Sequence, residues 1–171
     1  MFAYAYLSFL ASEPSIEGAQ VAIVGLAAIM AARLTPATTI VAINENRKRL
    51  ALARELGATH TIRGGADAVE ELRELTHGEL DYAIEATDGS NLVAEAVEFM
   101  GELGTCLMVG GASTIAKVKL RHGGMLLIGK TLKGVLGGGG TTPDMHLALM
   151  NLYNTGRFPW IAWSATTAFS K

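Results

Sequence analysis

Short apolar runs that alternate with amphipathic stretches constrain the fold of this chain more than any other feature of its sequence. The apolar runs are rich in Val, Ile and Thr and are too short for helices, which is typical of buried strands. We predict six strands, at residues 21–24, 38–44, 59–62, 80–87, 104–111 and 130–136. We predict helices after Gly25 and at residues 45–56, 66–75, 90–100 and 142–156, where apolar residues recur at helical spacing.

The connections between these elements are only a few residues long, which indicates right-handed βαβ units. The sequence therefore predicts an α/β fold with a doubly wound, parallel six-stranded sheet in a single domain. Boundary residues agree with the helices, because Ser90 opens one, Pro143 lies in the first turn of another, and Gly156 follows its end. Four successive glycines at residues 136–142, LGGGGTT, predict a flexible loop.

The composition of the chain limits its domain organisation and its partners. Its 171 residues fit one domain, whose main part we place at residues 15–160. The net charge of −2 argues against nucleic acid or an acidic membrane as a partner. The single cysteine, Cys106, excludes an intramolecular disulfide and a zinc site built on cysteines. It fits a reducing compartment, so we expect a cytoplasmic protein.

The two ends of the chain lie outside that domain. Residues 1–11, MFAYAYLSFLA, are apolar, but they lack the basic residues of a secretory signal and are too short to span a bilayer. We predict a helical segment at residues 1–14 that packs on a neighbouring surface, and a tail at residues 161–171. Because 50% of all residues are hydrophobic, we expect either a large core or a surface that binds a partner.

Residues 18–34, GAQVAIVGLAAIMAARL, have the strand–glycine–helix order of a nucleotide-binding turn. Such a turn presents backbone N–H groups and the positive end of a helix to a pyrophosphate. The usual motif, G-x-G-x-x-G, has three glycines, whereas Gly25 stands alone here. Gly25 therefore indicates either contact with a phosphate or, more simply, close packing of the helix on the strand.

Two other arrangements of this stretch are compatible with the sequence. Residues 19–34 could form one continuous apolar helix, because periodicity does not separate a short buried strand from part of a buried helix. Alternatively, residues 17–20 could be drawn into the first strand. A shift by an odd number of residues would turn its side chains to the opposite face of the sheet.

Several stretches together resemble the coenzyme-binding (Rossmann) domain of zinc-type alcohol dehydrogenases, in the medium-chain dehydrogenase/reductase superfamily, and especially its aryl-alcohol-type members. These stretches are VGLAAIMAARL (24–34), RLALARELGATHTI (49–62), ELTHGELDYAIEAT (74–87), GTCLMVGG (104–111), GKTLKGVLGG (129–138) and LYNTGRFP (152–159). The resemblance covers about residues 15–160 and keeps the family's order and spacing. It implies a Rossmann-type fold, NAD or NADP as a weakly bound cofactor, and a homodimer formed through the edge strand at residues 129–138.

Two departures from the family affect the cofactor site. Gly25 corresponds to the third glycine of the family's motif, which allows close helix–strand packing, and the first two glycines are absent. Asn44 replaces the acid that accepts hydrogen bonds from the ribose hydroxyls. Because Arg47 and Lys48 lie just beyond it, the balance moves toward NADP, whose 2′-phosphate pairs with a basic side chain. From the residues alone, Asn44 is equally a helix N-cap, and the two basic residues are more simply a solvated first turn.

A third departure concerns the domain that, in the family, precedes the coenzyme domain and supplies the ligands of a catalytic zinc. We find no counterpart to it before Ser15, and Cys106 and the four histidines lack the spacing of a zinc site. We therefore predict no catalytic residue, no metal ligand and no bound zinc.

Two turns at the ends of predicted strands complete the candidate site. Residues 85–90, EATDGS, and 109–111, VGG, end consecutive strands at the sheet edge where such folds bind ligands. In the family, the matching turns border the adenosine ribose and the nicotinamide, which implies cofactor contacts for Thr87, Gly110 and Gly111. As residues alone, these are equally ordinary turns that end strands.

Three functions are compatible with these observations. The first is a domain that binds NAD(P)(H) weakly and has no unaided catalytic activity. The second is a non-catalytic dimerisation domain that has lost dinucleotide binding. The third is an NAD(P)-dependent alcohol dehydrogenase that needs a separate catalytic subunit. We predict the first, with neither nucleic acid nor a membrane as a partner.

Overall fold

Six parallel strands form one sheet in the order β3-β2-β1-β4-β5-β6. The computed structural model describes residues 17–159 except 88, 112, 114 and 136–141. The strands are β1 Gln20–Val24, β2 Thr39–Asn44, β3 His60–Arg63, β4 Tyr82–Glu85, β5 Thr105–Met108 and β6 Thr131–Gly134. The helices are α1 Leu26–Arg33, α2 Arg47–Leu56, α3 Ala68–Thr76, α4 Ser90–Phe99, α5 His122–Ile128 and α6 Thr142–Asn154. The predicted doubly wound, parallel six-stranded sheet is confirmed.

β1 lies at the centre of the sheet, between β2 and β4. Val21 pairs with Ile40 on one side and with Tyr82 on the other, so its backbone is part of two ladders. Consecutive residues of β1 are buried because helices cover both faces of the sheet. The alternative of one continuous helix over residues 19–34 is therefore wrong. Of residues 17–20, only Gln20 joins the strand.

Helices on the two faces of the sheet divide the apolar core into two clusters. On one face, Ile29 of α1 and Leu56 of α2 pack with the side chain of Ile23. On the opposite face, Leu72 of α3 and Val97 of α4 belong to a second cluster. Each predicted amphipathic stretch thus places its apolar stripe against the sheet, which is the main stabilising contribution expected of such a helix.

α2 begins and ends at residues suited to helix termini. The side-chain oxygen of Asn46 accepts hydrogen bonds from the N–H groups of Lys48 (2.9 Å) and Arg49 (3.4 Å). Gly57 ends the helix with φ 122°, and a Cβ at this position would lie 2.4 Å from Cδ of Arg33. A side chain at residue 57 would be strained both by the backbone and by this close contact.

α5 is the one described helix that the sequence analysis did not predict. Gly123 and Gly124 lie in its first turn, and glycine lowers helix propensity by roughly 1 kcal/mol relative to alanine. No residue of α5 is buried, so its sequence lacks the apolar stripe that identifies a helix.

Several sequence-based predictions concern residues outside the described part of the chain. They are the helical segment at residues 1–14, the tail at 161–171 and most of the glycine loop at 136–142. The domain boundaries at residues 15 and 160 accordingly stay predictions. Among the residues that are described, no helix combines the length and the hydropathy needed to cross a membrane.

Candidate functional site

The turns singled out from the sequence lie at one edge of the sheet, because all the strands run in the same direction. Gly25 follows β1, Asn44 ends β2, Thr87 lies two residues beyond β4, and Gly110 lies two residues beyond β5. The strand order reverses between β1 and β4, which is where open α/β sheets bind their ligands.

Gly25 is the single residue between β1 and α1, and its conformation requires glycine. Its φ is +148°, and a Cβ here would lie 3.0 Å from Cβ of Ala86, in the turn after β4. The N–H of Ala86 also donates to the carbonyl of Val24 at 3.3 Å, so the two turns are in direct contact. This close approach explains Gly25 as a packing residue, while its contact with a phosphate stays a prediction.

Asn44 and Asn46 have different roles at the start of α2. The Asn44 side-chain oxygen accepts the N–H of Asn46 at 2.9 Å, which forms a local turn. The residue that caps the helix is Asn46. The interpretation of Asn44 as the N-cap is therefore wrong, and its amide remains at the end of β2, on the wall of the cavity described below.

Arg47 and Lys48 form the first turn of α2 and are exposed to solvent. Neither lines the cavity, and Gly111, also exposed, does not line it either. These three residues therefore lie outside the enclosed part of the site.

Glu85 organises the turn after β4. Its side chain is only 3% exposed, and its Oε1 accepts the N–H of Thr87 at 2.6 Å. The same oxygen accepts the hydroxyl of Thr87, and that hydroxyl oxygen in turn accepts the N–H of Gly89 at 3.2 Å. Hydrogen bonds to a buried carboxylate are stronger than those between neutral groups, so Glu85 fixes the orientation of Thr87.

Gly110 packs directly against this turn. Its N–H donates to the backbone carbonyl of Glu85 at 3.1 Å. A Cβ at Gly110 would lie 1.6 Å from the carbonyl oxygen of Thr87, a distance that no side chain tolerates. The turns after β4 and β5, which the sequence placed at one sheet edge, are thus in contact.

Cys106 lies beneath this turn and is chemically protected. It is fully buried in β5, between Ala83 of β4 and Leu132 of β6. Burial, together with the charge of Glu85, raises the pKa of the Cys106 thiol to about 12. Because the thiolate is the reactive form, Cys106 is inert in the folded protein.

A cavity of 660 Å³ opens at the carboxyl ends of β1, β2 and β4 and extends between the sheet and helices α3 and α4. Its size falls within the range of small-molecule sites. Most of its lining is apolar, and its polar side chains are Asn44, Glu45, Glu85, Thr87 and Glu95. The remaining lining residues are Ala22, Val24, Ile43, Gly64, Gly65, Ala66, Ala68, Val69, Ala83, Ile84, Leu92, Ala96 and Phe99.

Two of the predicted site residues, Asn44 and Thr87, thus meet on the wall of one cavity. The sequence analysis missed Glu45, Glu95 and Phe99, which also line it. Glu95 and Phe99 are four residues apart in α4, which places them on one side of the helix. Spacing gives their common side, but it does not indicate that this side borders a cavity.

This arrangement has counterparts among known proteins. The family model for zinc-binding dehydrogenases matches residues 24–153. The chain belongs to the zinc-binding dehydrogenase family. Its relatives include alcohol dehydrogenase class-2 isozyme 2 of Oryctolagus cuniculus, which is 29% identical over an alignment of 145 residues. The alignment covers 79% of this chain and 36% of that protein. The chain spans only 36–37% of the length of the curated relatives it matches.

Solved structures of this family share the fold. The alcohol dehydrogenase zinc-binding domain protein from Burkholderia ambifaria is 33% identical and superimposes with a TM-score of 0.88, over 94% of this chain and 45% of that one. Benzyl alcohol dehydrogenase from Acinetobacter calcoaceticus is 29% identical, with a TM-score of 0.85 over 94% of this chain and 46% of that one. The resemblance is confirmed: the chain is an NAD-binding-type Rossmann domain homologous to alcohol dehydrogenases.

Among the described residues, no three His, Cys, Asp or Glu side chains cluster as a metal site requires. That the chain binds no zinc stays a prediction.

Proposed function

We propose that this chain binds NAD(P)(H) weakly at the carboxyl edge of its sheet and does not oxidise alcohols unaided. The observation that carries the proposal is the cavity at the point where the strand order reverses, with Asn44 and Thr87 on its wall. The contacts that we assign to the cofactor are those of Gly25, Asn44, Arg47, Lys48, Thr87, Gly110 and Gly111. The proposed location is the cytoplasm, which suits the single thiol of Cys106.

The nature of Asn44 favours NADP over NAD. An asparagine amide hydrogen-bonds a ribose hydroxyl but, unlike a carboxylate, does not repel a 2′-phosphate. Arg47 and Lys48, exposed at the start of α2, supply positive charge beside that position. NADPH is therefore expected to bind more tightly than NADH, and the difference should shrink as salt is added.

Fluorescence titration of NADH and, separately, of NADPH into the protein at low salt tests this function. Saturable binding with a Kd below about 1 mM is expected, which corresponds to roughly 4 kcal/mol. Asn44→Ala and Thr87→Ala should each weaken it about threefold to tenfold, the usual contribution of one hydrogen bond. Asn154→Ala and Thr131→Ala, at exposed positions away from the cavity, are the matched controls. If neither nucleotide binds at millimolar concentration, the proposal is wrong.

A second function, assembly as a homodimer, rests on a separate observation. Among the described residues, β6 is the last strand of the sheet, and an edge strand tends to find a partner. Close to it, Leu126 and Leu127 of α5 are 68% and 85% exposed. We propose that residues 129–138 pair with their counterparts across a two-fold axis, which would cover these leucines.

Gel filtration with light scattering tests the dimer. The chain is expected to have twice its monomer mass at tens of micromolar, in the usual range of specific association. Leu127→Glu should shift it to a monomer, whereas Glu55→Gln, at an exposed residue of α2 beside β2 and β3, should not. A clean monomer in the unsubstituted protein would contradict the proposal.

Two further outcomes would favour the other candidate functions. A dimer that binds no dinucleotide would favour assembly as the function. Oxidation of alcohol only after a second polypeptide is added would favour a dehydrogenase that needs a separate catalytic subunit.

A further inference from the structure

The two faces of the sheet differ in burial near the amino ends of β4, β5 and β6. Tyr82, Thr105 and Thr131 pair laterally across these strands, so their side chains share one face. Tyr82 and Thr105 are partly exposed, and Thr131 is exposed. On the opposite face, Ala83 and Cys106, each one residue further along, are only 3% and 0% exposed. Because a parallel sheet is normally covered on both faces, this row of residues is suited to a further packing element.

Leu103 extends this row at the turn that leads into β5. Its side chain is 78% exposed, and its backbone is left-handed, with φ 59°. Leucine rarely adopts this conformation, which glycine and asparagine tolerate better. The N–H of Leu103 donates to the carbonyl of Ile128 at 2.9 Å, which fixes the turn beside α5. The turn alone therefore does not account for an aliphatic side chain here. Together, Tyr82, Leu103, Thr105 and Thr131 form what we call the β4–β6 surface.

The described part of the chain begins beside this surface. Glu17, its first residue, lines a cavity of 440 Å³ together with Tyr82, Leu103 and Thr105. The residues that precede Glu17 therefore join the described fold at this cavity. Residues 12–16 span at most about 17 Å when extended. The three strand spacings from β1 to β6 amount to about 14 Å, so the segment before residue 12 can reach the whole β4–β6 surface.

The composition of residues 1–11, MFAYAYLSFLA, suits a surface of this kind. None of their side chains is acidic or basic, so packing them on the protein removes no charged side chain from water. Phe2, Tyr6 and Phe9 recur at helical spacing, and aromatic rings bury a large apolar area. As a helix, these residues would be about 16 Å long, close to the roughly 13 Å of a four-residue strand such as β4. A tyrosine hydroxyl can also donate to Glu102, which is exposed on the same cavity.

We propose that residues 1–11 pack on the β4–β6 surface of the same chain. Their aromatic side chains contact Tyr82 and Leu103, and the methyl groups of Thr105 and Thr131 complete the apolar contact. This contact explains an exposed leucine in a left-handed turn. It covers a face of β6 and leaves the backbone edge that the proposed dimer uses. The inference does not depend on nucleotide binding, because the β4–β6 surface lies at the amino ends of the strands.

Paramagnetic relaxation enhancement in the whole chain tests this contact. Ser8→Cys places a thiol in the segment, and a nitroxide reagent labels it selectively because Cys106 is buried. The amide signals of Leu103 and Thr131 are expected to lose intensity. The signal of Glu71, in α3 on the opposite face of the sheet, should keep its intensity.

A mixed sample distinguishes docking within one chain from docking on a second copy. It combines spin-labelled protein of natural isotope content with isotope-enriched protein that carries no label. If residues 1–11 pack on their own chain, the signals of Leu103 and Thr131 keep their intensity in the mixture. An equal loss in the mixture would show that the segment docks on another copy and would overturn the proposal. Absence of any loss at these two residues in the singly labelled chain would overturn it as well.

A substitution in the β4–β6 surface provides a second measurement. Leu103→Asn removes the aliphatic contact and keeps the turn, because asparagine tolerates a positive φ. Chymotrypsin should then cleave within residues 1–11 about fivefold faster or more, since cleavage follows the population of the undocked segment. Ile115→Asn, at an aliphatic residue that is 85% exposed elsewhere, is the matched control and should leave the cleavage rate unchanged. Equal rates in Leu103→Asn and in the unsubstituted chain would show that Leu103 does not hold the segment, and the proposal would be wrong.

Discussion

α1 and α5 each follow a strand of the same sheet, yet they are attached to it in different ways. In α1, the six consecutive residues from Ala27 to Ala32 are all 2% exposed or less. In α5 no residue is buried, and its leucines face solvent. Seven of the eight residues of α1 and four of the seven of α5 are hydrophobic. The exposed leucines of α5 show that hydrophobic residues join the core only where the helix that carries them is covered by the rest of the fold.

The contacts of α5 with the rest of the fold are largely polar. Met125 packs partly against the second core cluster. Arg121, just before the helix, donates from Nε to Glu98 at 2.9 Å and also contacts that carboxylate through its terminal nitrogen. Lys130, just after it, donates from Nζ to the carbonyls of Val97 (2.8 Å) and Glu98 (3.3 Å). The exposed contact between Arg121 and Glu98 stabilises weakly, because solvent screens it. The hydrogen bonds of Lys130 are partly buried.

The largest expected difference in the free energy of unfolding is between truncations of one aliphatic side chain in α1 and one in α5. Ile29→Ala in α1 should lower the free energy of unfolding by about 2–5 kcal/mol, because it leaves a cavity in the core. Leu127→Ala in α5 should change it by less than about 0.5 kcal/mol in the monomer, because that side chain is 85% exposed. Urea unfolding at low protein concentration measures both. Equal losses would show that α5 is covered by the protein's own chain.

Replacing each of two glycines by alanine should change the stability of the protein in opposite directions. Gly110→Ala should destabilise the protein by about 1–3 kcal/mol, since its Cβ would overlap the carbonyl of Thr87. Gly123→Ala should stabilise it by about 0.5–1 kcal/mol, because Gly123 lies in α5 with no atom within 4 Å of an added Cβ. Thermal unfolding, followed by circular dichroism, distinguishes the two. A loss of stability in Gly123→Ala would contradict the open surroundings of α5.

The smallest effect concerns the ion pair beside α5. The hydrogen bond from Arg121 holds the pKa of Glu98 below its ordinary value. A carboxyl with a lowered folded-state pKa stabilises the protein above its unfolded-state pKa, and this contribution is lost as pH falls through the folded-state value. Arg121→Gln should therefore reduce stability slightly at neutral pH and not in acid. NMR titration of the Glu98 carboxyl should show its pKa rising in the variant, and an unchanged pKa would contradict the pairing.

The contrast between buried helices and the exposed α5 also explains which elements the sequence predicted and which it did not. α2, α3 and α4 carry apolar residues at helical spacing on the faces that the sheet buries, so periodicity located them. Short apolar runs located the strands, and the strand–glycine–helix order located α1. α5 lacks such a face, and its two glycines oppose a helix, so no local signal identified it. The residues that flank it, Arg121 and Lys130, connect it to α4 through contacts that its own sequence does not indicate.

At the candidate site, the sequence predicted where the residues lie better than what each of them does. Asn44, Thr87 and Gly110 lie at the sheet edge where the parallel topology places strand ends. The capping role belongs to Asn46, two residues further on, because the strand extends through Asn44. The cavity itself depends on how far α3 and α4 stand from the sheet and on the small side chains of Ala22 and Ala83 in the strands, which no spacing along the chain reveals.

Because Cys106 is buried, the reactivity of its thiol can report local opening of the core. A thiol reagent reaches this side chain only after the core opens locally, since Cys106 is fully buried in the second cluster with Val97 and Met100. With a single cysteine in the chain, one mass increment reports one event. The labelling rate in native buffer therefore measures how often the core between the sheet and α4 opens, and a ligand that binds at the carboxyl edge should slow it as the site fills.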